Sequence, residues 1–192
     1  MTSTNQDWFF RRLAPFYDYL IRWPQVNRLK ALLNLSPNGY LLDLGGGTGR
    51  VSRNLVTPAT TVLVCDINRS MLNQAKRKKG LLPLQANAAD LPFPAETFDG
   101  ILVVDALHHF LEPRQMVLEM LRVLKAGGRL LIEEQDINRF FIKLVRTVEK
   151  IVGLHSHFLT LREMKGLFDP SRHSLYCEKG NFYAFRLLVC KR

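Results

Sequence analysis

The sequence predicts a doubly wound α/β fold, with a mostly parallel sheet of seven strands that ends in an antiparallel C-terminal hairpin. Two observations carry this prediction. Short apolar runs alternate with stretches of helical periodicity between residues 39 and 136, and two further apolar runs close the chain. The length of 192 residues fits a single domain with a sizeable core.

The alternation begins with a β-α-β unit. The run GYLLDLG (39–45) indicates a strand, TGRVSRNLV a helix, and TTVLVCDI (60–67) a second strand. Ser70 is the predicted N-cap of the next helix, which continues through the basic run QAKRKK to Gly80.

Three more strands complete the parallel part of the sheet. They are predicted at GLLPLQA (80–86), FDGILVVDA (98–106) and RLLIEE (129–134). A helix over 113–125 precedes the last of them, and Gly127-Gly128 is expected to stop that helix. In a sheet of this kind, the ligand site lies at the carboxyl ends of the strands.

After residue 136 the pattern changes to two helices, INRFFIKLVRTVEKIVG and TLREMKGLF, and then to two strands joined at Lys179-Gly180-Asn181. The first helix has an apolar stripe opposite Arg139, Lys143, Arg146 and Lys150. It is interpreted as a surface helix that packs on the sheet or caps the site. A role at a membrane surface or toward a lipid substrate is the alternative.

The composition excludes several classes of protein. Hydrophobic residues make up 47% and charged residues 23%, which excludes a disordered or fibrous chain. The longest stretches without charge hold 12 residues, short of the roughly 18 that a membrane span needs. The first residues show no secretory pattern, and three scattered cysteines fit reduced thiols, so a cytoplasmic location is expected.

The net charge of +10 is uneven along the chain. Residues 1–40 carry +3, residues 41–138 are neutral, and residues 139–192 carry +7. Basic flanks around a neutral core suit an anionic substrate, an anionic membrane surface or a nucleic acid. A general basic bias of the proteome is the other explanation.

The chemistry begins at the loop after the first strand, LLDLGGGTG (41–49). Glycine backbone lets a nucleotide-like ligand approach closely. A dinucleotide-binding G-x-G-x-x-G loop is not formed, because Arg50 stands where its last glycine would be. The G-x-G-x-G spacing, with Asp43 two residues ahead of it, resembles the first motif of class I S-adenosylmethionine-dependent methyltransferases.

Three further matches strengthen the resemblance: Asp66, 21 residues after Gly45, Asp90 in the run ADLPF, and the segment LRVLKAGGRLLIEE. The resemblance implies a Rossmann-like fold and S-adenosyl-L-methionine as the cofactor. It assigns Asp43 to the methionine amino group, Asp66 to the ribose hydroxyls and Asp90 to the adenine amino group. Loop caps are the plain structural alternative for all three. The full set of expected cofactor residues is Asp43, Gly45, Gly46, Gly47, Asp66, Ile67, Ala89, Asp90, Leu91 and Asp105, with Ile67 and Leu91 as apolar walls for adenine.

Within this superfamily the chain is most similar to the branch of the ubiquinone and menaquinone biosynthesis methyltransferases, through Phe16-Tyr17-Asp18 and LHHF (107–110). The expected acceptor is therefore a small or lipid-like molecule such as a quinone precursor. His109 or His108 is the expected base, and the alternative is that one histidine packs under the loop while the other faces solvent. Tyr17 and His157 are expected to contact the acceptor.

The same interpretation divides the domain and limits its partners. It predicts an N-terminal helical cap (1–38), a cofactor-binding core (39–136), a helical substrate cap (137–170) and the hairpin (171–192). A nucleic-acid acceptor is less favoured, since Asp105-Ala106-Leu107-His108 replaces the Asp- or Asn-Pro-Pro-aromatic run of amino-methyltransferases. A protein that binds the cofactor without catalysis is the third hypothesis, and no metal is expected.

Overall fold

The structure is a computed structural model that describes residues 14, 18, 25–110, 112–136, 158–180 and 184–192. Tyr17, His157 and the predicted basic helix lie outside these residues. The strands are β1 (Gly39–Leu44), β2 (Thr60–Asp66), β3 (Leu81–Gln85), β4 (Phe98–Val104), β5 (Leu124–Gln135), β6 (His173–Lys179) and β7 (Ala184–Lys191). The helices are α1 (Val26–Leu33), α2 (Arg69–Ala75), α3 (Pro113–Val123) and α4 (Leu161–Lys165), with short 3₁₀ helices at Ser52–Asn54 and Leu107–His109.

The seven strands form one sheet in the order β3-β2-β1-β4-β5-β7-β6. Strands β1 to β5 pair in parallel, and β7 pairs antiparallel with both β5 and β6. The predicted fold class is confirmed. Because the strand order reverses between β1 and β4, the carboxyl ends of β1, β2 and β4 meet at a topological switch point, where such sheets bind ligands.

Each face of the sheet is covered by an apolar layer. On one face, α1 and α2 pack their buried side chains against Leu41, Val62 and Leu131. On the other face, α3 and α4 pack against Ile101 and Leu187. Alternate residues of the parallel strands point to opposite faces and both faces are covered, which explains the nearly continuous apolar runs of the sequence.

Four local predictions are corrected by the structure. The segment after the glycine loop forms turns and the 3₁₀ helix Ser52–Asn54, since Gly47 and Gly49 both adopt left-handed φ angles that a helix cannot contain. The N-cap of α2 is Asn68 rather than Ser70, because the Asn68 side chain accepts the Met71 N–H. That helix ends at Ala75.

The fourth correction concerns Gly127-Gly128, which lie beyond the end of the helix but do not stop it. Helix α3 already ends at Val123, and β5 begins at Leu124 with both glycines inside it. The β4–β5 register shifts between Phe98 and Gly100, so the glycines lie opposite an irregularity of the sheet. In the part of the chain that the structure describes, no helix combines the length and apolarity of a membrane span.

Candidate active site

The glycine loop follows β1 and has room only for glycine at its first two positions. A Cβ on Gly45 would lie 2.6 Å from the Cβ of Ala106, and Gly45 has a φ of +70°. A Cβ on Gly46 would lie 2.4 Å from Oδ2 of Asp43. The loop is hydrogen-bonded to β2, since the Gly45 N–H donates to the Cys65 carbonyl over 2.7 Å. Because these positions carry no side chain, the loop backbone can approach a ligand closely.

Asp43 lies beneath this loop at the end of β1, with 2% of its surface exposed. Its Oδ2 has no hydrogen-bond partner among the described residues. Burial raises the pKa of Asp43 to about 6, against the opposing effects of the Ser52 hydroxyl and then of the Arg50 charge. A buried acceptor without a donor is costly for a folded protein, so this atom is a site at which a ligand donor would be stabilising.

Asp66 ends β2 and holds the other side of the loop. Its Oδ2 accepts the Gly47 N–H over 2.9 Å, and its Oδ1 accepts the Asn68 N–H over 2.7 Å. Burial raises the pKa of this carboxyl group. The next residue, Ile67, is 47% exposed, which is unusual for an isoleucine and leaves an apolar surface beside the carboxylate.

The predicted adenine segment is arranged by Asn87. Its side chain accepts the Ala89 N–H, and its carbonyl accepts the Asp90 N–H. Asp90 is exposed. Leu91 is only 3% exposed and packs in the core. The structure thus places Leu91 among core residues, and Ile67 is the exposed apolar side chain of the predicted pair.

At the end of β4, Asp105 stands in a left-handed conformation with a φ of +50°. Such a conformation is strained for a residue other than glycine and is concentrated at functional sites. The carboxylate lies 3.6 Å from the Arg50 guanidinium, which connects the β4 loop to the glycine loop. Burial, and then the negative charge of Glu134, raise the pKa of Asp105 to about 6.

His108 is buried and bound to Glu134, the penultimate residue of β5. Its Nδ1 lies 2.7 Å from Glu134 Oε2, and its ring stacks on Phe158 with 4.6 Å between centroids. The other oxygen of Glu134 accepts the N–H groups of Ala106 and Leu107. Glu134 therefore fixes the whole turn after β4, and His108 is part of that support.

His109 is the more accessible of the two histidines, and its ring centroid lies 4.1 Å from that of His108. Burial, together with the charge of His108, holds the pKa of His109 well below its usual value. His109 is therefore neutral at pH 7 and can accept a hydrogen bond, but it is a weak base.

The structure brings most of the predicted site residues to one edge of the sheet. Asp43, the three loop glycines, Asp66 and Asp105 lie there, with His108 and His109 on the turn after β4. Tyr17 and His157 fall outside the described residues. Sequence reasoning missed Arg50 and Glu134, for which no local motif exists. Among the residues that the structure describes, no group of three metal-binding side chains occurs.

Comparisons with known proteins agree with this geometry. The family model described as "Methyltransferase domain" matches residues 42–132. The ubiquinone/menaquinone biosynthesis C-methyltransferase UbiE of Wigglesworthia glossinidia brevipalpis is 29% identical over 164 residues, or 80% of this chain and 59% of that protein. UbiE of Vibrio campbellii is 40% identical over 108 residues, or 51% of this chain and 42% of its own. The chain thus spans about half the length of the curated relatives that it matches.

Solved structures share the fold at low sequence identity. A SAM-dependent methyltransferase of Thermotoga maritima aligns with a TM-score of 0.75 and 22% identity, covering 95% of this chain and 98% of its own. The YcgJ protein of Bacillus subtilis aligns with a TM-score of 0.72 and 18% identity, covering 87% and 97%. In sequence this chain is similar to the methyltransferase domain family over residues 42–132, and its seven-stranded sheet has the fold of these solved methyltransferase structures.

Proposed function

We propose that this chain binds S-adenosylmethionine at the carboxyl ends of β1 and β2 and transfers its methyl group to a small, lipid-like aromatic acceptor of the quinone-precursor class. The names of the sequence relatives support the acceptor class. The bound cofactor supplies a methyl group that its sulfonium already activates. The protein then has to position the acceptor, exclude water and accept a proton.

The unpartnered Oδ2 of Asp43 is the observation that carries the proposal. It is buried under a loop whose first glycines admit no side chain. The ammonium of an amino acid moiety is the donor that would complete this carboxylate, directly or through the loop backbone. Hydrogen bonding and charge then favour the ionised form of Asp43, which burial alone disfavours.

Asp66 and Ile67 suit the nucleoside end of the same ligand. Each Asp66 oxygen accepts one backbone N–H and keeps a second lone pair for a hydroxyl. The exposed Ile67 side chain offers a flat apolar surface next to it. Vicinal ribose hydroxyls and an adenine ring present the complementary groups, and exposed Asp90 is assigned to the adenine amino group.

On the acceptor side, Asp105 is better suited than either histidine to remove a proton. Its pKa of about 6 leaves it ionised at pH 7 yet close enough to neutrality for efficient proton transfer. His108 is held by Glu134, and His109 has too low a pKa. We assign proton acceptance from an acceptor hydroxyl to Asp105, and a hydrogen bond to the acceptor to His109.

Calorimetric titration with S-adenosylhomocysteine tests the cofactor site. Wild type is expected to bind, and Asp66→Ala to lose about a hundredfold in affinity, since two charge-assisted hydrogen bonds contribute roughly 1.5 kcal/mol or more each. Asp99→Ala is the matched control. That carboxylate also accepts a backbone N–H, from Tyr40, but at the opposite edge of the sheet. Folded wild type that binds no S-adenosylhomocysteine would refute the proposal.

The acceptor is tested with labelled S-adenosylmethionine and three acceptors in parallel: a short-tailed hydroquinone, single-stranded RNA and duplex DNA. Methyl transfer to the hydroquinone, located on the product by mass spectrometry, is the expected result. Transfer to a nucleic acid instead would replace the acceptor class. Tight cofactor binding without transfer to any of the three would favour the non-catalytic hypothesis.

A further inference from the structure

We propose that Asp18 is a positioning residue that, together with Lys78, holds the glycine loop in the shape that binds the cofactor, so that the contacts of Asp18 and the bound cofactor strengthen each other. The inference rests on the proposed cofactor site and adds a residue that lies outside the parallel core. Asp18 lies ahead of α1 in the sequence and belongs to no cofactor motif of the loop itself.

Three side chains and one carbonyl close a compact polar cluster around Thr48. The Thr48 hydroxyl donates to Asp18 Oδ1 over 2.5 Å. The Lys78 ammonium lies 2.6 Å from Asp18 Oδ2 and also donates to the Thr48 carbonyl over 2.6 Å. Each partner is 30 residues from Thr48 in the sequence, so the cluster joins three separate segments.

Thr48 matters because of its place in the loop. It lies between Gly47 and Gly49, with φ angles of +55° and +68°. Glycines lose more conformational freedom on folding than other residues, so such a turn needs external contacts to hold one shape. Asp66 holds the loop from the sheet side through Gly47. The Asp18–Lys78 pair holds it from the other side, through both the hydroxyl and the carbonyl of Thr48.

Among the described residues, Asp18 is the carboxylate that pairs with Lys78. No acidic residue occurs between Asp66 and Asp90, although this stretch carries five basic residues. The side chain of Lys78 is only 14% exposed, whereas its neighbours Lys76, Arg77 and Lys79 are exposed. A partly buried ion pair is screened less by salt than a surface pair. Removal of Asp18 would therefore leave an uncompensated ammonium against the loop carbonyl.

By thermodynamic linkage, the effect of the Asp18 contacts on cofactor binding has to be reciprocal. If the contacts of Asp18 stabilise the loop shape that binds the cofactor, the bound cofactor stabilises these contacts by the same factor. A purely structural contact would change the stability of the free protein and leave the affinity for the cofactor unchanged. The two possibilities differ in what cofactor affinity does when the pair is broken.

The test measures the affinity for S-adenosylhomocysteine by calorimetry in Asp18→Asn, Lys78→Met and the double variant. Each single variant is expected to bind about tenfold more weakly, as typical coupling energies imply. The double variant is expected to lose about tenfold as well, because the two residues act as a unit. Lys79→Met, which removes an exposed neighbouring charge, is the matched control and is expected to bind like wild type.

Hydrogen exchange provides a readout that a structural role alone would not move. Adding S-adenosylhomocysteine is expected to slow exchange in the N-terminal peptide of wild type and to have no such effect in Asp18→Asn. Lys78→Met gives the same test should Asp18→Asn fail to fold.

The outcomes separate this inference from the cofactor proposal. Wild-type affinity in both single variants, with wild type binding normally, overturns the role of Asp18 and leaves the cofactor site intact. A double variant about a hundredfold weaker than wild type would show two independent contributions and also overturns it. Wild type that does not bind overturns both proposals.

Discussion

The two halves of the candidate site handle their buried charges differently. At the ends of β1 and β2, Asp43 keeps one oxygen without a partner among the described residues, and Asp66 bonds only loop N–H groups. At the ends of β4 and β5, Glu134 makes three hydrogen bonds to its own protein, and Glu133 forms a buried ion pair with Arg186. The first half leaves a buried carboxylate oxygen without a partner, whereas the buried carboxylates of the second half are bonded within the protein, where the unpartnered atom is the Gln135 amide oxygen.

The two halves therefore have opposite effects on the stability of the protein without a ligand. An unpaired buried carboxylate destabilises the fold and is retained where a ligand completes it. A satisfied network makes the turn that carries Asp105 and His109 rigid. The cofactor half should therefore gain stability when its carboxylate is removed, and the acceptor half should lose it.

The largest effect is expected for Glu134→Ala. The change leaves His108 and two backbone N–H groups without their acceptor in a buried place, so the free energy of unfolding should fall by about 3 to 5 kcal/mol. Urea denaturation measures it. Glu134→Gln, which keeps one oxygen acceptor, should lose less. A loss below about 1 kcal/mol in Glu134→Ala would contradict the view that this half is completed from within.

Asp105→Asn should separate catalysis from cofactor binding. If Asp105 accepts the proton, kcat falls about a hundredfold, at the low end for loss of a general base. The affinity for S-adenosylhomocysteine should stay close to that of wild type. His109→Gln, which keeps a hydrogen-bonding group, is the comparison and should lose less. If kcat were unchanged in Asp105→Asn and activity were lost in His109→Gln, His109 rather than Asp105 would be the general base.

Asp43→Asn should stabilise the protein and weaken the cofactor site. The folded pKa of Asp43, about 6, lies above its ordinary value of 3.8. Its contribution to stability is therefore present in full below pH 4 and is lost as the pH rises to about 6. At pH 7 the neutral asparagine should raise the free energy of unfolding by roughly 2 to 3 kcal/mol, and at pH 4 by much less.

Thermal unfolding at both pH values checks this sign, and S-adenosylhomocysteine titration checks the loss of affinity. A variant that is less stable than wild type at pH 7 would mean that Asp43 has a partner in the free protein. The unpartnered carboxylate on which the proposed cofactor site rests would then not exist.

The smallest expected effect is the pH dependence of binding in wild type. A cationic group of the ligand favours ionised Asp43, so below pH 6 binding has to release a proton. Affinity for S-adenosylhomocysteine should fall as the pH drops from 7 to 5, by up to about tenfold per unit once the pH is well below 6. The fall should persist in Asp105→Asn and become smaller in the residual binding of Asp43→Asn, where Asp66, whose pKa burial also raises, still titrates. A flat profile would place the ammonium elsewhere.

The same difference decided what the sequence could predict. The cofactor half is built from adjacent residues, since a strand, a glycine turn and the next strand's terminal acid lie within a short stretch. Apolar periodicity located all seven strands, because buried parallel strands are nearly continuous in Leu, Ile and Val. The exact ends of helices depend on single contacts that the pattern does not show. The N-cap of α2, for example, is Asn68 rather than the predicted Ser70.

The acceptor half depends on contacts that no local pattern reveals. Glu134 reaches His108 across 26 residues, and Arg50 reaches Asp105 only because the fold brings two loops together. Side chains such as Leu91 are apolar whether they line a ligand or the core, so only burial separates the two roles. Asp18 is a further case, since its partners Thr48 and Lys78 lie far from it in the chain.

A two-dimensional ¹H–¹⁵N NMR titration with S-adenosylhomocysteine tests most directly whether the ends of β1 and β2 form the cofactor site. The account predicts saturable shifts of the amide signals of Gly45, Gly47 and Ile67, while those of Arg186 and Leu188 in the terminal hairpin remain in place. Shifts confined to the hairpin, or an unchanged glycine loop in a protein that binds the ligand, would contradict it.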